Sequence, residues 1–474
     1  MKPRIVKHDP EVMGKESIGR LLLRFSLPAI TAMLVQAIYN IVDRIYIGHF
    51  ASLAAFNGIY IAFPIMMGLL GISMLFAIGG SSLFSIRLGE GDRKGAMRLL
   101  GNTTMLLIIS SLVITIIGLI FTKPLLYMFG ASAETIPHAT AYMRIIFGGN
   151  IFMMVAMGVN NFLRAEGKAT IAMVTMLIGA LSNIFLDYIF IVVLGWGASG
   201  AATATVIARV ISASWIMYYY FSGRTSIPLV LSMMKLKWNV FVSIVLLGVS
   251  SFFQQISMVV MLGVANNVLK AYGGETAISA IATIFSIMSL IHLPLIGIAQ
   301  GAQPIFGFNY GAKKFERLKK TLIITGVVAV SIGIIGLMVV QFLPVALTSL
   351  FISKSSENAM AVIDTTSKAM PIFLMMLPLT SLQIIGVGYF RSIGKVWYAM
   401  SLGMLRQLFL FIPLIILLPI TYGIDGAWFA GPVADTLAFL VTIILLIVEI
   451  RKLSNIGQTK VQHRNYSRAY SQNA

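Results

Sequence analysis

Twelve times between residues 21 and 450 the chain returns to an apolar run of about twenty residues or more, the length a helix needs to cross the hydrocarbon core of a bilayer. The runs lie near 21–47, 56–86, 98–121, 137–163, 169–194, 198–221, 239–265, 276–307, 318–343, 364–390, 396–419 and 425–450. No soluble fold can cover that much apolar surface. Hydrophobic residues make up 58% of the chain and charged residues only 11%, against roughly 25% charged in soluble domains. Mean hydropathy is +0.91. The fold expected is therefore all-α and integral to a membrane, with twelve transmembrane helices. Some runs exceed the bilayer thickness, so tilt or protrusion into the headgroups is expected.

A net charge of +19 and a pI near 10 would ordinarily raise nucleic acid as a partner, but the charges are distributed by topology. Of 35 Lys and Arg residues, 27 fall at the N-terminal end up to Arg24, in the even-numbered connections and in the C-terminal segment. The opposite loops carry only Lys123, Lys270, Lys354 and Lys368, and Arg44, Arg144, Arg209 and Arg406 sit within or at the ends of spans. Positive residues stay on the cytoplasmic side. Both termini are expected there, with the bilayer as the partner and no nucleic acid. Cysteine is absent, which excludes disulfides and thiolate chemistry. No cleavable signal peptide is visible in residues 1–20. No HExxH, GxSxG or phosphate loop is present, so neither an enzyme nor a resident cofactor is expected.

The two halves repeat each other. Phe162-Leu-Arg-Ala-Glu-Gly-Lys-Ala-Thr-Ile-Ala-Met173 aligns with Tyr389-Phe-Arg-Ser-Ile-Gly-Lys-Val-Trp-Tyr-Ala-Met400. Gly197-Ala-Ser-Gly-Ala201 aligns with Gly423-Ile-Asp-Gly-Ala427, and Arg87-Leu-Gly-Glu-Gly-Asp-Arg-Lys94 with Asn309-Tyr-Gly-Ala-Lys-Lys314. A six-span unit used twice in the same orientation predicts two pseudo-symmetric lobes with a substrate cavity between them. The division expected is a cytoplasmic segment 1–20, a first lobe 21–222, a linker 223–238, a second lobe 239–450 and a basic, disordered cytoplasmic tail 451–474.

Carboxylates inside apolar runs are costly, roughly 2.5–3.5 kcal/mol at mid-helix, and are functional candidates by default. Asp43, Asp187 and Asp435 are such residues. Gln36, Asn40 and Asp43 fall at i, i+4 and i+7, with Tyr39 beside them, as a polar stripe on span one. Asn183 lies one turn before Asp187 on span five, and Thr203 and Thr205 lie early on span six. Two carboxylates, an amide and a hydroxyl can ligate Na⁺, or one carboxylate can take up a proton beside its like-charged neighbour. The bland alternative for Asp43 is an ion pair with Arg44 or Arg144. Asp435 is either a second cation site or the partner of Arg406. The candidates for the cavity wall are Gln36, Tyr39, Asn40, Thr203 and Asp435, with Gln254 and Gln255 on span seven and Asn160 on span four. His292 on span eight reads as a packing residue ahead of a proton relay. The 28 Met residues and the abundant Phe and Tyr suit a promiscuous pocket for flat organic cations. Pro28, fifteen residues before Asp43, can bend span one.

The chain resembles the multidrug and toxic compound extrusion (MATE) transporters of the MOP superfamily, with the DinF-like and MepA-like branches nearest. The resemblance rests on Leu27-Pro28, Asp43 with Gly48, Arg87-Leu-Gly-Glu-Gly-Asp92, Arg164-Ala-Glu-Gly-Lys168 and Gly197-Ala-Ser-Gly-Ala-Ala202, in order along nearly the whole chain. It implies efflux of amphipathic or cationic small molecules by H⁺ or Na⁺ antiport with alternating access. It also implies that Asp43, Asn183, Asp187 and Thr205 bind the coupling cation, and it matches Asn160. The chain departs from NorM-like members at span seven, which has glutamines in place of a glutamate. A monomer in the plasma membrane of a prokaryote is expected. The alternatives are a flippase for lipid-linked oligosaccharide or polysaccharide precursors and, more remotely, an intramembrane lipid-modifying enzyme.

Overall fold

In lipid a backbone must satisfy its own N–H and C=O groups, and a helix does so within one segment. The computed structural model describes residues 10–50, 52–352 and 359–472; Lys2, Arg4, Lys7 and the outer-loop Lys354 lie outside these. Among the described residues there is no strand. The first half forms α1 (Ile18–Phe50), α2 (Leu53–Gly89), α3 (Arg93–Met128), α4 (Ile136–Ala165), α5 (Ala169–Val193) and α6 (Gly197–Phe221).

The second half looks different until its turns are found. Trp238–Gly311 is continuous helix of 74 residues, about 110 Å if straight, against a hydrocarbon core of about 30 Å. It reverses at Gly274, whose φ of 62° is open to glycine alone at little cost, and so makes two spans, α7 (238–273) and α8 (275–311). Gly423, with φ 59°, divides the last long stretch in the same way into α11 (396–422) and α12 (424–472). Between them lie α9 (Phe315–Phe342), a short helix Pro344–Phe351, and α10, which is Ala359–Phe373 followed by Leu377–Ser392 with a bend of 59°. The total is the expected twelve spans.

The tail differs from expectation: α12 continues as helix to Gln472. Residues 451–472 contain one glycine and no proline, so nothing in them stops a helix already nucleated in the bundle.

The repeat in the sequence is a repeat in backbone. At the basic ends of α2, α4, α8 and α10 a left-handed residue (Gly91, Gly167, Lys313 and Gly394) is followed by one whose N–H reaches back five residues. Those bonds are Asp92 to Arg87, Lys168 to Leu163, Lys314 to Asn309 and Lys395 to Phe390, each at 2.8–2.9 Å. This is the Schellman C-cap, used four times. The third aligned pair, Gly197 and Gly423, is also left-handed.

Each half is preceded by a single 3₁₀ turn, Pro10–Gly14 and Leu231–Met234, and each turn docks on the other half. The Asn102 side chain on α3 bonds the carbonyls of Met233 (2.9 Å) and Lys235 (3.2 Å) and accepts from the Lys237 amide (2.9 Å). In return Asn309 and Arg317 donate to the Met13 carbonyl at 3.1 and 3.3 Å, and Lys314 donates to that of Gly14 at 2.9 Å.

The two halves meet closely at this basic end. A Cβ on Gly248 would collide with the Leu75 carbonyl, one on Gly79 with the Ile244 carbonyl, and one on Gly89 or Gly311 with the carbonyl of Phe308 or Ile86. Small residues at such contacts let backbones approach. One apolar core runs through both halves there, from Phe25, Phe84 and Phe162 to Phe306, Tyr389 and Phe390. At the far end the cores separate: one is built from the first half alone (Ile47 to Ala202), the other from the second alone (Met261 to Ala434). The bundle is closed at its basic end and parted at the other.

Candidate functional site

Between the halves lies a cavity of about 570 Å³, a size that suits a small organic molecule. Residues of α1, α2, α4, α5, α6, α7, α8, α10 and α11 line it, so neither half makes it alone. Its first-half wall carries Gln36, Tyr39, Asn160, Asn183 and Thr205; its second-half wall carries Gln254, Gln255 and His292. The Arg209 guanidinium donates to the Tyr39 hydroxyl at 3.3 Å, and Gln255 donates to the Met67 thioether at 3.2 Å.

Asp187 ends the α-helical part of α5 and is fully buried, and Asn183, one turn before it, is 3% exposed. Residues Tyr188–Val193 then continue as π-helix, a local widening common at functional sites. Asp43 on α1 lies close to Asp187. Both Asp187 oxygens, Asp43 Oδ1 and Asn183 Oδ1 are buried and have no hydrogen-bond partner. Buried polar atoms are rarely left so. Asn183 Nδ2 is unpartnered too; four acceptor oxygens without a hydrogen-bond partner form a set that a proton, or a hard cation preferring oxygen ligands, completes. Among the described residues no ion pair joins Asp43 to Arg44 or Arg144. Thr205 lies on the cavity wall with Asn183.

Three expected wall residues fall elsewhere. Asn40 is exposed and outside the lining; it follows Tyr39, which does face inward, and adjacent helical positions point about 100° apart. Thr203 is off the wall too, its hydroxyl donating to the Ser199 carbonyl at 2.7 Å. Asp435 is buried behind the wall and accepts from Arg406 Nε at 2.5 Å. It is the counterion of that arginine.

The charged residues of the wall, Arg164, Arg209, Arg391 and Arg406, were absent from the expected set. Arg209 and Arg406 stood out in sequence as charges within apolar runs, a signal that points inward. Arg164 and Arg391 were absorbed into the loop-charge count. Each belongs to the aligned Arg-x-x-Gly-Lys sequence. The lysine of that sequence turns away, Lys168 to Glu166 at 3.1 Å and Lys395 to Glu449, while the arginine faces the cavity. Arg406 lies in a second π-helical stretch, Leu405–Phe411. Both π segments thus occur in equivalent spans, α5 and α11, and each adjoins or holds a charge. Pro28 lies within the continuous helix α1.

The MatE family model matches residues 28–189 and 247–417, two stretches offset by 219 residues (247 less 28), close to the offset of the sequence repeat. The multidrug export protein MepA of Staphylococcus haemolyticus is 27% identical over 440 residues, 91% of this chain and 94% of its own length. A crystal structure of MATE in complex with MaL6 superposes with a TM-score of 0.89 at 26% identity, over 94% of this chain and 99% of that one. The outward-facing conformation of a multidrug resistance MATE family transporter of the MOP superfamily gives 0.86 at 25% identity, over 95% and 98%.

Proposed function

The chain belongs to the MatE family, and on that footing we propose that it is an ion-coupled multidrug efflux transporter of the cell membrane. Relatives sharing nearly its whole length are multidrug export proteins, and it is a multi-pass membrane transporter, not an enzyme. The observation that carries the reading is a cavity between two repeats, parted at one end, beside a cluster of buried oxygens that lack a donor. Asp43 and Asp187 take the inward-moving H⁺ or Na⁺, with Asn183 and Thr205 completing the shell. Loading that shell neutralises charge inside the first lobe, which shifts the balance between the two packings of the lobes. The basic end is cytoplasmic by its loop charge, so the cavity described here faces outward. The lobes are residues 21–222 and 239–450, acting in a monomer.

Purified protein in liposomes tests the reading. Export predicts that an inward H⁺ or Na⁺ gradient drives a fluorescent amphipathic probe out against its own gradient. No gradient-dependent movement under either ion would overturn it. A second reading, a flippase for lipid-linked precursors, is favoured by one observation, the four arginines on the wall. Transbilayer movement of such a lipid without movement of soluble probes would select it.

A further inference from the structure

The wall of the cavity is positive. Arg164, Arg209, Arg391 and Arg406 line it, and no Asp or Glu does. Among the described residues only Arg406 has a carboxylate partner, Asp435. The others are held by neutral acceptors: Arg164 by the Asn161 side chain at 2.7 Å, Arg391 by that of Gln254 at 3.1 Å, Arg209 by the Tyr39 hydroxyl. Arg391 Nε is buried with no partner. A guanidinium withdrawn from water without a counterion is unfavourable, and here two of them recur by the repeat, facing one space from α4 and α10. The apolar share of the wall is chiefly thioether and aliphatic: six methionines line it, and Tyr39 is its one carbocyclic aromatic. A cage of aromatic faces, which would hold a flat cation, is absent from this lining.

We propose that this cavity selects anionic amphiphiles: the acidic group of the substrate, a carboxylate or a phosphate ester, pairs with Arg164 or Arg391, and its apolar body lies on the methionines. Guanidinium groups whose only partners are neutral are suited to such oxyanions. The organic cations expected from the resemblance would meet net positive charge and no counterion. The inference rests on the export reading for the role of the cavity and goes beyond it in the sign of the cargo. The acidic group can belong to a free organic anion or to a lipid headgroup.

Fluorescein and rhodamine 6G share a xanthene frame and carry opposite charge, and the alkyl and ester groups of rhodamine 6G give it the larger apolar body, so tighter binding of fluorescein to the purified protein, followed by anisotropy, reports charge. Fluorescein is expected to bind at least about tenfold tighter than rhodamine 6G, with affinity falling as salt screens the wall. Arg164→Gln and Arg391→Gln should each weaken fluorescein by about tenfold or more without weakening rhodamine 6G, and Arg164→Lys or Arg391→Lys should retain most of the affinity. Tighter binding of rhodamine 6G to the wild type, or an equal loss of both dyes in the Gln variants, overturns the proposal. If the Gln variants do not fold, the selectivity and salt dependence of the wild type decide alone. Displacement of fluorescein by phenyl phosphate marks a free anion as the cargo; displacement only by phosphatidic acid in phosphatidylcholine nanodiscs marks a headgroup; displacement by neither overturns the site. Loss of gradient-driven efflux with anion selectivity intact would instead sink the export reading.

Discussion

At the scale of the residue, the membrane makes some positions conspicuous and hides others. Asp43 and Asp187 could be picked out because a carboxylate in an apolar run is costly, and helical spacing then brought Asn183 to the same face. The same reasoning failed by one position at Asn40, where a rotation of 100° separates the wall from the exterior. It failed at Thr203 because a hydroxyl can satisfy itself on its own helix. Arg164 and Arg391 were hidden for a different reason: sequence shows a cytoplasmic charge, and only the fold shows which of Arg and Lys in Arg-x-x-Gly-Lys turns inward. Asp435 and Arg406 form a buried pair, so Asp435→Asn should leave a buried guanidinium unpaired and lower stability by about 3 kcal/mol, read by thermal unfolding in detergent. Replacing both by leucine should recover most of that loss. Recovery would mark the pair as structural; full stability of Asp435→Asn would show that the pair contributes nothing.

At the scale of the element, hydropathy and loop charge sufficed for twelve helices, because each span is an independent demand for backbone hydrogen bonds. What they did not reveal are the irregularities: the break in α10 at 374–376, the two π segments and the crossed docking of the 3₁₀ turns. A window average hides the first, although Pro371 and Pro378 flank it in the sequence. The others depend on tertiary partners that no local pattern contains. The crossed docking holds the basic end shut through a few directed bonds, each worth about 1 kcal/mol net. Asn309→Ala removes three bonds, two donated to the Met13 and Ile305 carbonyls and one accepted from Arg317 Nε, and should cost about 1–3 kcal/mol while increasing proteolysis within residues 10–17. Gly248→Leu forces a side chain against the Leu75 carbonyl and should wedge the basic end open. Spin labels are free of background in a chain without cysteine. In the Gly248→Leu variant, distances between labels on α2 and α8 at the basic end should lengthen by several ångströms, and far-end distances should shorten. Unchanged distances would show that the contact does not hold the two halves.

At the scale of the whole molecule, one shared core at the basic end and two separate cores at the other describe half of an alternating-access cycle. The other half requires the far-end cores to meet and the shared core to part, and the packing of each half need not change for that to happen. Ion binding supplies the difference only if it favours one arrangement over the other. The carboxylates of Asp43 and Asp187 lie within the first half, close to the cavity but outside its lining, and Asn183 on the wall adjoins them, so ion and cargo communicate through Asn183 and the position of α1 and α5. The central claim is therefore that these two carboxylates, and not the cavity wall, turn an ion gradient into export. Proteoliposome efflux under imposed H⁺ and Na⁺ gradients, comparing wild type with Asp43→Asn and Asp187→Asn, tests it most directly. The account predicts that each variant binds the probe within about threefold of wild type, a difference under 1 kcal/mol, yet loses gradient-driven efflux by at least about tenfold. Unchanged efflux in both variants would contradict it.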